Sequence, residues 1–460
     1  MSRADRACER IVREAQASER IPAVTAAVAR GDRDLWQVQA GSAGEGRELT
    51  PQTQFRIGSI TKTFTAALVM QARDAGALEL DDPVSAHLKV PDHGELTIRA
   101  MLSHMSGLQR EPAGNLWDSL DVPGSGEVLD NLARAEAVLP SGRRFHYSNL
   151  AYALLGHLAA AKAGGTWEEV LADRLLNPLG LADTTPAPRA PYAQGYLVEA
   201  FTDHARPEPE FPVGGAAPCA QLWSTAADLA RWALFLADPD PAVLAPATVD
   251  EMCQPAGIPD PDQWVVAWGL GLILAPQGGR IIHAGHDGAM PGFLAGAYFR
   301  RDTKVAAAAL GSSGQAIGTV GLPHKLIAAS LEADPPDAEL WVPGEAAPAE
   351  YASALGHWWS EGFPFVFSWR SGHLEARAGG AAPDRPPAVF EADPSGVLRS
   401  VSGREVGERL ELTRDERGRI VFMRWATYRF SRLQESFDPA DPARFPATPG
   451  VHPGYDGSSS

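Results

Sequence analysis

FRIGSITKTFTAALVM, residues 55 to 70, places Ser59 and Lys62 three positions apart at the head of an apolar, helix-forming run. On a helix, positions i and i+3 share a face, so Ser59 at the N-terminus would carry Lys62 one turn further in, beside it. The helix dipole favours negative charge there, on a nucleophile or an oxyanion. It disfavours positive charge, so a buried Lys62 would have a depressed pKa and be free to accept a proton. Serine also caps many helices and lysine is a common helix residue, so the pair alone fits an ordinary helix start. The apolar stretch behind Lys62 weighs against that reading, because a lone lysine on a buried helix needs a reason to be there.

Around this stretch the chain alternates strand-like and helical segments. Residues 5 to 17 form an amphipathic pattern, and AVTAAVARGDRDLWQVQAG (23 to 41) reads as two strands around a Gly-Asp turn. Helices are expected at about 60 to 76, 97 to 108, 150 to 163, 166 to 176 and 222 to 238, the last capped by Ser224 or Thr225. Strands return at 264 to 275, 279 to 284, 293 to 300 and 304 to 311, followed by a helix at 317 to 331. This pattern predicts a sheet built from both ends of the region, with a helical insertion between them.

Composition shifts at EADPPDAELWVPGEAAPAE (332 to 350), where Pro, Ala and acids dominate as in a linker. Beyond it, FPFVFSWRSGHLEARA and RIVFMRWATYRFSR alternate apolar and polar residues, as the strands of a small antiparallel β domain do. Trp358, Trp359, Trp369 and Trp425 lie there, as an aromatic binding surface or as core filling. The expected organisation is a main domain over 1–335, a linker over 336–350, a β-rich domain over 351–435 and a loose tail over 436–460, rich in Pro, Gly, Ser and Asp.

The 460 residues carry a formal charge of -17 with no Lys/Arg-rich run, which argues against nucleic acid and anionic membranes as partners. Cys8, Cys219 and Cys253 are widely spaced and read as reduced structural thiols; no Cys/His cluster points to a metal, and no cofactor is expected. The first residues show no apolar signal-peptide core and no run is long enough to span a bilayer, so the expected location is cytoplasmic.

Two later motifs give the Ser-Lys pair its meaning. GRRFHYSNLAYALLG contains Tyr147-Ser148-Asn149, and IIHAGHDGAMPGFLAG contains His286-Asp287-Gly288. A Ser-x-x-Lys, a Tyr-x-Asn and a His-x-Gly in this order resemble the class C β-lactamase and penicillin-binding-protein superfamily of serine hydrolases. MLSHMSGL, GALELDDPV, NPLGLADT and LWSTAADLARW are similar to its phrases, and the resemblance covers about residues 10 to 335. It implies an α/β (α+β) fold of the β-lactamase type, an antiparallel sheet flanked by helices with a helical insertion. The C-terminal β domain would be lipocalin-like or a barrel. It also implies roles. Ser59 would form an acyl-enzyme, with Lys62 and Tyr147 sharing the proton traffic, since a tyrosine beside a cationic lysine loses its proton more easily. Asn149 would hold Lys62 and a substrate amide. The N–H groups of Ser59 and Ala289 would form an oxyanion hole, and Gly288 would let substrate approach the strand closely. His283-Ala284-Gly285 is a competing His-x-Gly; the spacing to Pro291-Gly292-Phe293 favours His286.

The third motif departs from the Lys-Thr-Gly of lactam-processing members. His286 supplies no fixed positive charge near pH 7, and Asp287 adds a negative one, so a penicillin carboxylate would bind poorly. Esterase and D-aminopeptidase relatives tend to carry His there. If Asp287 faces the cleft, it would pair with a substrate amine; if strand alternation turns it away, it would not. The expected activity is hydrolysis of carboxylic esters or small amides. The alternative is acyl transfer or peptide cyclisation with an amine acceptor, as in penicillin-binding-protein-type thioesterases of actinobacterial peptide assembly. Below these stand a β-lactamase and a non-catalytic binding protein. The expected partner is a small ester, amide or peptide.

Overall fold

The computed structural model describes residues 2–434 except 32, 115, 121, 338, 339 and 361; the tail expected from 436 lies outside them. The chain divides into two compact units, up to Asp337 and from Ala338.

The first unit is a three-layer sandwich. Its seven-stranded antiparallel sheet runs β2-β1-β7-β6-β5-β4-β3. The strands are β1 (Ala23–Arg30), β2 (Trp36–Gly41), β3 (Ala267–Trp268), β4 (Ile273–Pro276), β5 (Ile282–Met290), β6 (Phe293–Arg300) and β7 (Val305–Gly311). The sequence-first strand β1 pairs with the late strand β7, so both ends of the region build the sheet, as the pattern predicts. β1 and β7 are buried on both faces and read as near-continuous small apolar runs. Their side chains alternate: Ala27, Ala306 and Ala308 face the large core, while Val24, Val28 and Ala307 face a smaller one. Helices α1 (Arg3–Ser18) and α5 (Gly318–Ala333) cover the second face.

On the first face lie α2 (Thr61–Asp74), α3 (Asn149–Ala163) and α4 (Ala226–Ala237). Helix α2 is buried without a break from Thr61 to Met70, which makes it the central helix of the insertion. Phe64 stacks on Trp232 of α4 at 4.1 Å, and the Trp232 indole donates to Thr63 Oγ1 at 2.8 Å, so the large ring is buried with its polar atom satisfied. Thr225 caps α4 by accepting from the Asp228 N–H.

Three elements differ from expectation. The helix expected at 97 to 108 stops at Leu102, because His104 takes a left-handed φ of 58° and turns the chain. The strand expected at 264 to 275 is split around Gly269–Gly271. The strand expected to end at 284 runs on to Met290, straight through His-Asp-Gly.

The second unit is a meander of eight strands: β8 (Gly356–Ser360), β9 (Phe363–Arg370), β10 (His373–Ala378), β11 (Ala388–Ala392), β12 (Leu398–Ser400), β13 (Leu410–Arg414), β14 (Ile420–Trp425) and β15 (Tyr428–Phe430). Neighbours pair in order within β8–β12 and within β13–β15. Bridges Arg399↔Arg409 and Trp359↔Ser431 join the two sheets at both edges and close a barrel. Trp358 and Trp425 fill its core and Trp359 and Trp369 are half-buried, which favours core filling over an aromatic surface.

All three cysteines are free thiols, and burial pushes those of Cys8 and Cys253 up to about 11. No helix among the described residues is long and apolar enough to cross a membrane.

Candidate active site

Ser59 lies in a 3-10 turn, Gly58–Ile60, that feeds directly into α2. The Ile57 N–H donates to Leu222 C=O at 3.0 Å and anchors the turn's entry. Gly58 has a φ of 50°, and a Cβ there would meet Ala289 N at 2.7 Å, so glycine is what lets the turn lie against β5. At the start of a helical run the first N–H groups have no intrahelical partner, which leaves the Ser59 N–H available.

One turn on, Lys62 is fully buried. Its Nζ donates to Ser59 Oγ at 3.0 Å, Asn149 Oδ1 at 2.7 Å and the Cys219 carbonyl at 2.9 Å. Three acceptors match the three protons of an ammonium and offset much of the cost of burying it. Asn149 is the first residue of α3. It does not cap that helix: Ser148 does, accepting from the Ala151 N–H at 3.0 Å, which frees the Asn149 amide. Asn149 Nδ2 donates in turn to Glu111 Oε1 at 2.7 Å.

Tyr147 meets Lys62 with its ring face: Nζ lies 4.9 Å from the ring centroid. The Arg110 guanidinium also lies over this ring at 4.9 Å, and His104 stacks on it at 4.2 Å. His104 Nδ1 accepts from the Ser148 N–H at 3.1 Å, which places its proton on Nε2. Burial, then the nearby Lys62 charge, hold His104 well below its usual range and keep it neutral.

Strand β5 brings up the third motif. Alternation puts His286, Gly288 and Met290 on the α2 face. His286 lies 6.3 Å from the Tyr147 ring, ring to ring. Its Nδ1 lies 2.5 Å from the Asp287 carbonyl, which makes Nδ1 the protonated nitrogen. Burial, and then Lys62, lower its pKa to about 3, so the imidazole is neutral at pH 7. A Cβ on Gly288 would fall 1.9 Å from the Ile57 carbonyl, so any side chain there would push the Ser59 turn off the strand. Met290 and Phe293 close a two-residue hairpin with β6. Counting back from that pair, the N–H and C=O of Ala289 and Asp287 point away from β6 toward the free edge. The His286 contact with Asp287 C=O agrees with this direction.

Asp287 does not face the cleft, and the expectation of an amine partner there is corrected. It lies on the opposite face of β5, where the Tyr298 hydroxyl donates to Oδ1 at 3.0 Å. His283, of the competing His-x-Gly, is on that same face and pairs with His324 of α5 at 2.9 Å. The structure thus gathers Ser59, Lys62, Tyr147, Asn149, His286, Gly288 and Ala289, and leaves out Asp287.

A cleft of about 380 Å³ opens over Ser59, Asn149 and Ala289. Two charged residues line it that the sequence alone did not single out, Arg110 and Glu111. They form an ion pair at 3.5 Å. Only their position just after MLSHMSGL hinted at them, since no local pattern ties a loop carboxylate to an asparagine 38 positions later. Among the described residues, no group of three or more His, Cys, Asp or Glu is placed to hold a metal ion.

The Beta-lactamase family model matches residues 8–330. The chain belongs to this family. A second model, a domain of unknown function (DUF7586), matches residues 347–432. Penicillin-binding protein 4 of Amycolatopsis lactamdurans is 34% identical over 289 residues, covering 57% of this chain and 73% of that one. The structure of D-amino acid amidase from Ochrobactrum anthropi SV3 with L-phenylalanine amide superposes with a TM-score of 0.62 at 26% identity, over 72% of this chain and 98% of that one. The structure of SurE matches at a TM-score of 0.60 and 26% identity, over 94% of this chain and 99% of that one. The chain spans about half the length of the beta-lactamase-like proteins of Homo sapiens and Dictyostelium discoideum that it also matches (48% and 50%). The fold read from the motifs, a β-lactamase-type sheet with flanking helices and an added β domain, is the fold of this family of serine hydrolases.

Proposed function

We propose that this protein hydrolyses small amides and esters whose acyl group carries a free amine, through an acyl-enzyme on Ser59. The observation that carries the reading is the 3.0 Å bond from the buried Lys62 Nζ to Ser59 Oγ, fixed from behind by Asn149 and the Cys219 carbonyl. With the Lys62 protons engaged, we assign the Ser59 proton to Tyr147, whose ring lies 4.9 Å from Lys62 Nζ. Ser59 Oγ then bonds to the carbonyl carbon. The oxyanion accepts from the N–H groups of Ser59 and Ala289. The proton on Tyr147 passes to the leaving amine or alcohol as the scissile bond breaks. Water, giving a proton to Tyr147, attacks the acyl-enzyme carbonyl, and Tyr147 passes that proton to Ser59 Oγ as the acid leaves.

The carboxylate for the substrate amine is Glu111. It lines the cleft beside Ser59, where Asn149 Nδ2 and the Arg110 guanidinium both meet its Oε1, which leaves Oε2 for an ammonium. The amidase relative was solved with L-phenylalanine amide, a molecule whose free amine neighbours its amide, which supports the reading. Neutral His286 offers no charge for a lactam carboxylate, and Arg110 is already paired with Glu111.

The test compares amino-acid p-nitroanilides and esters of both enantiomers with their N-acetyl counterparts, in the parent and in Glu111→Gln. Glutamine keeps an acceptor for Asn149 Nδ2 and removes the charge. The expected result is a drop of about 10- to 100-fold in kcat/KM for free-amine substrates, with much less change for the N-acetyl ones. Equal losses on both would refute amine recognition by Glu111 while leaving the Ser59 chemistry standing.

A further inference from the structure

The lining of the Ser59 cleft is of two kinds. Arg110, Glu111 and Asn149 supply charge and hydrogen bonds, while Trp117, Val213, Ala216, Ala220, Met290 and Pro291 form an apolar wall. Ligand sites commonly combine such a wall with a few polar groups that fix orientation. Glu111 takes the substrate amine; the wall has no part yet in the chemistry, and its largest member is Trp117.

Trp117 sits on a one-turn helix, Leu116–Ser119, and is 48% exposed. Single exposed apolar residues are ordinary on a protein surface, but this ring lines a concave site and is braced there. Its edge meets the Phe211 ring at 6.2 Å and 83°. Phe211 is buried, and the buried Arg56 guanidinium lies over it, 5.2 Å from the ring centroid. Arg56 comes three residues before Ser59, so this stack ties the tryptophan to the turn that carries the nucleophile. Further along the chain, the Gly215 N–H donates to the Pro123 carbonyl at 2.7 Å, next to the segment that brings Val213 to the wall. A ring held from behind and still half exposed is preorganised to receive an apolar group.

The proton path says which part of the substrate meets it. Tyr147 gives its proton to the leaving group, so the leaving group lies on the Tyr147 side of Ser59. Neither Tyr147 nor His286 is among the described residues that line this cleft, whereas Glu111, which takes the amine of the acyl group, is. The cleft is therefore space for the acyl group. Benzene fits an apolar cavity of about 150 Å³. The cleft, at about 380 Å³, leaves room for such a ring beside the amine and the reacting carbonyl.

We propose that Trp117 selects the side chain of the acyl group, and that the substrates are amino-acid esters and amides with a bulky apolar side chain, aromatic above all. An aromatic ring gains from edge-to-face or offset packing on the indole, and the flexible Met290 adapts the wall to its shape. The inference rests on the Ser59 and Glu111 assignments and adds a third substituent to them.

The test measures kcat/KM, from the acid released, for the methyl esters of alanine, leucine and phenylalanine and for alanine benzyl ester, each as the enantiomer the parent prefers. The proteins are the parent, Trp117→Ala and Trp117→Phe. The parent is expected to favour the phenylalanine over the alanine methyl ester by at least about tenfold, with leucine between. Trp117→Ala is expected to lose at least about tenfold on the phenylalanine ester and much less on the alanine methyl ester, and Trp117→Phe to recover most of that loss. Equal losses on all the esters would make Trp117 a structural residue and overturn the proposal. A loss on alanine benzyl ester with phenylalanine methyl ester spared would overturn it too, by putting the leaving group on the wall. Both outcomes leave the Ser59 and Glu111 assignments standing, whereas a parent that turns over none of these esters would overturn them and this proposal together.

Discussion

At the scale of single residues, strand parity decides what a side chain can do. His286 and Asp287 are neighbours in sequence, yet one meets Tyr147 and the other Tyr298 on the far side of the sheet. The ordered motifs made Ser59, Lys62, Tyr147, Asn149 and His286 legible, because each is fixed within a short local pattern. Glu111 was not legible, because its partner Asn149 comes from another element and only the fold joins them. Asp287 now serves a different prediction. Burial raises its pKa to about 6 from 3.8, against the opposing Tyr298 bond. The folded chain therefore binds this proton more tightly than the unfolded one, and the group's contribution to stability falls as pH rises from 3.8 to 6. Asp287→Asn keeps an acceptor for Tyr298 and removes the charge. It is expected to stabilise the protein by up to about 3 kcal/mol at pH 8 and by about 1 kcal/mol at pH 4.5, measured by urea unfolding. The same gain at both pH values would contradict the burial of this carboxyl.

Elements were read best where one period dominated. The buried run behind Ser59 gave α2, and Thr225 before a 3.6-residue pattern gave α4. Strand β5 extends past the expected end at 284 because the small residues Gly285 and Gly288 interrupt the apolar-polar alternation without breaking the pairing with β6. Gly288 is a place of close approach, as expected, but what approaches it is the Ile57 backbone. The helix at 97 was overrun for the opposite reason, since nothing in MLSHMSGL announces the left-handed His104. The far face of β5 makes its own prediction. His283 and His324 are lowered to about 4 from 6.5, chiefly by burial, with Arg300 and the partner imidazole adding to the effect on His283 and Asp302 opposing it. Between pH 4 and 6.5 the unfolded chain binds more protons at these sites, so their contribution is lost as pH falls through that window. Thermal melts should therefore drop steeply from pH 6.5 to 4, and the His283→Gln/His324→Gln double variant should flatten that slope. A slope unchanged in the double variant would assign acid lability to other groups, His104 and His286 first.

For the whole molecule, the composition shift after residue 332 and the change from mixed elements to pure alternation made two units legible. Each hydrophobic core lies wholly within one of them. Closure of the second unit into a barrel was legible only as a choice between kinds of β domain, because closure depends on two short bridges, Arg399↔Arg409 and Trp359↔Ser431, that no sequence period marks. Leu340 and Trp341 are 88% and 82% exposed in the segment between the cores. Brief chymotrypsin treatment is expected to cut first after one of them, leaving two fragments that each keep a folded circular dichroism spectrum. First cuts inside either core, or an unfolded fragment, would show that the units do not stand alone.

The most direct test of the central claim is intact-protein mass spectrometry on quenched mixtures with an amino-acid p-nitrophenyl ester. The expected result is one acyl adduct, mapped to Ser59, absent from Ser59→Ala, and decaying as the acid is released. Turnover retained by a folded Ser59→Ala, or an adduct on any other residue, would contradict it.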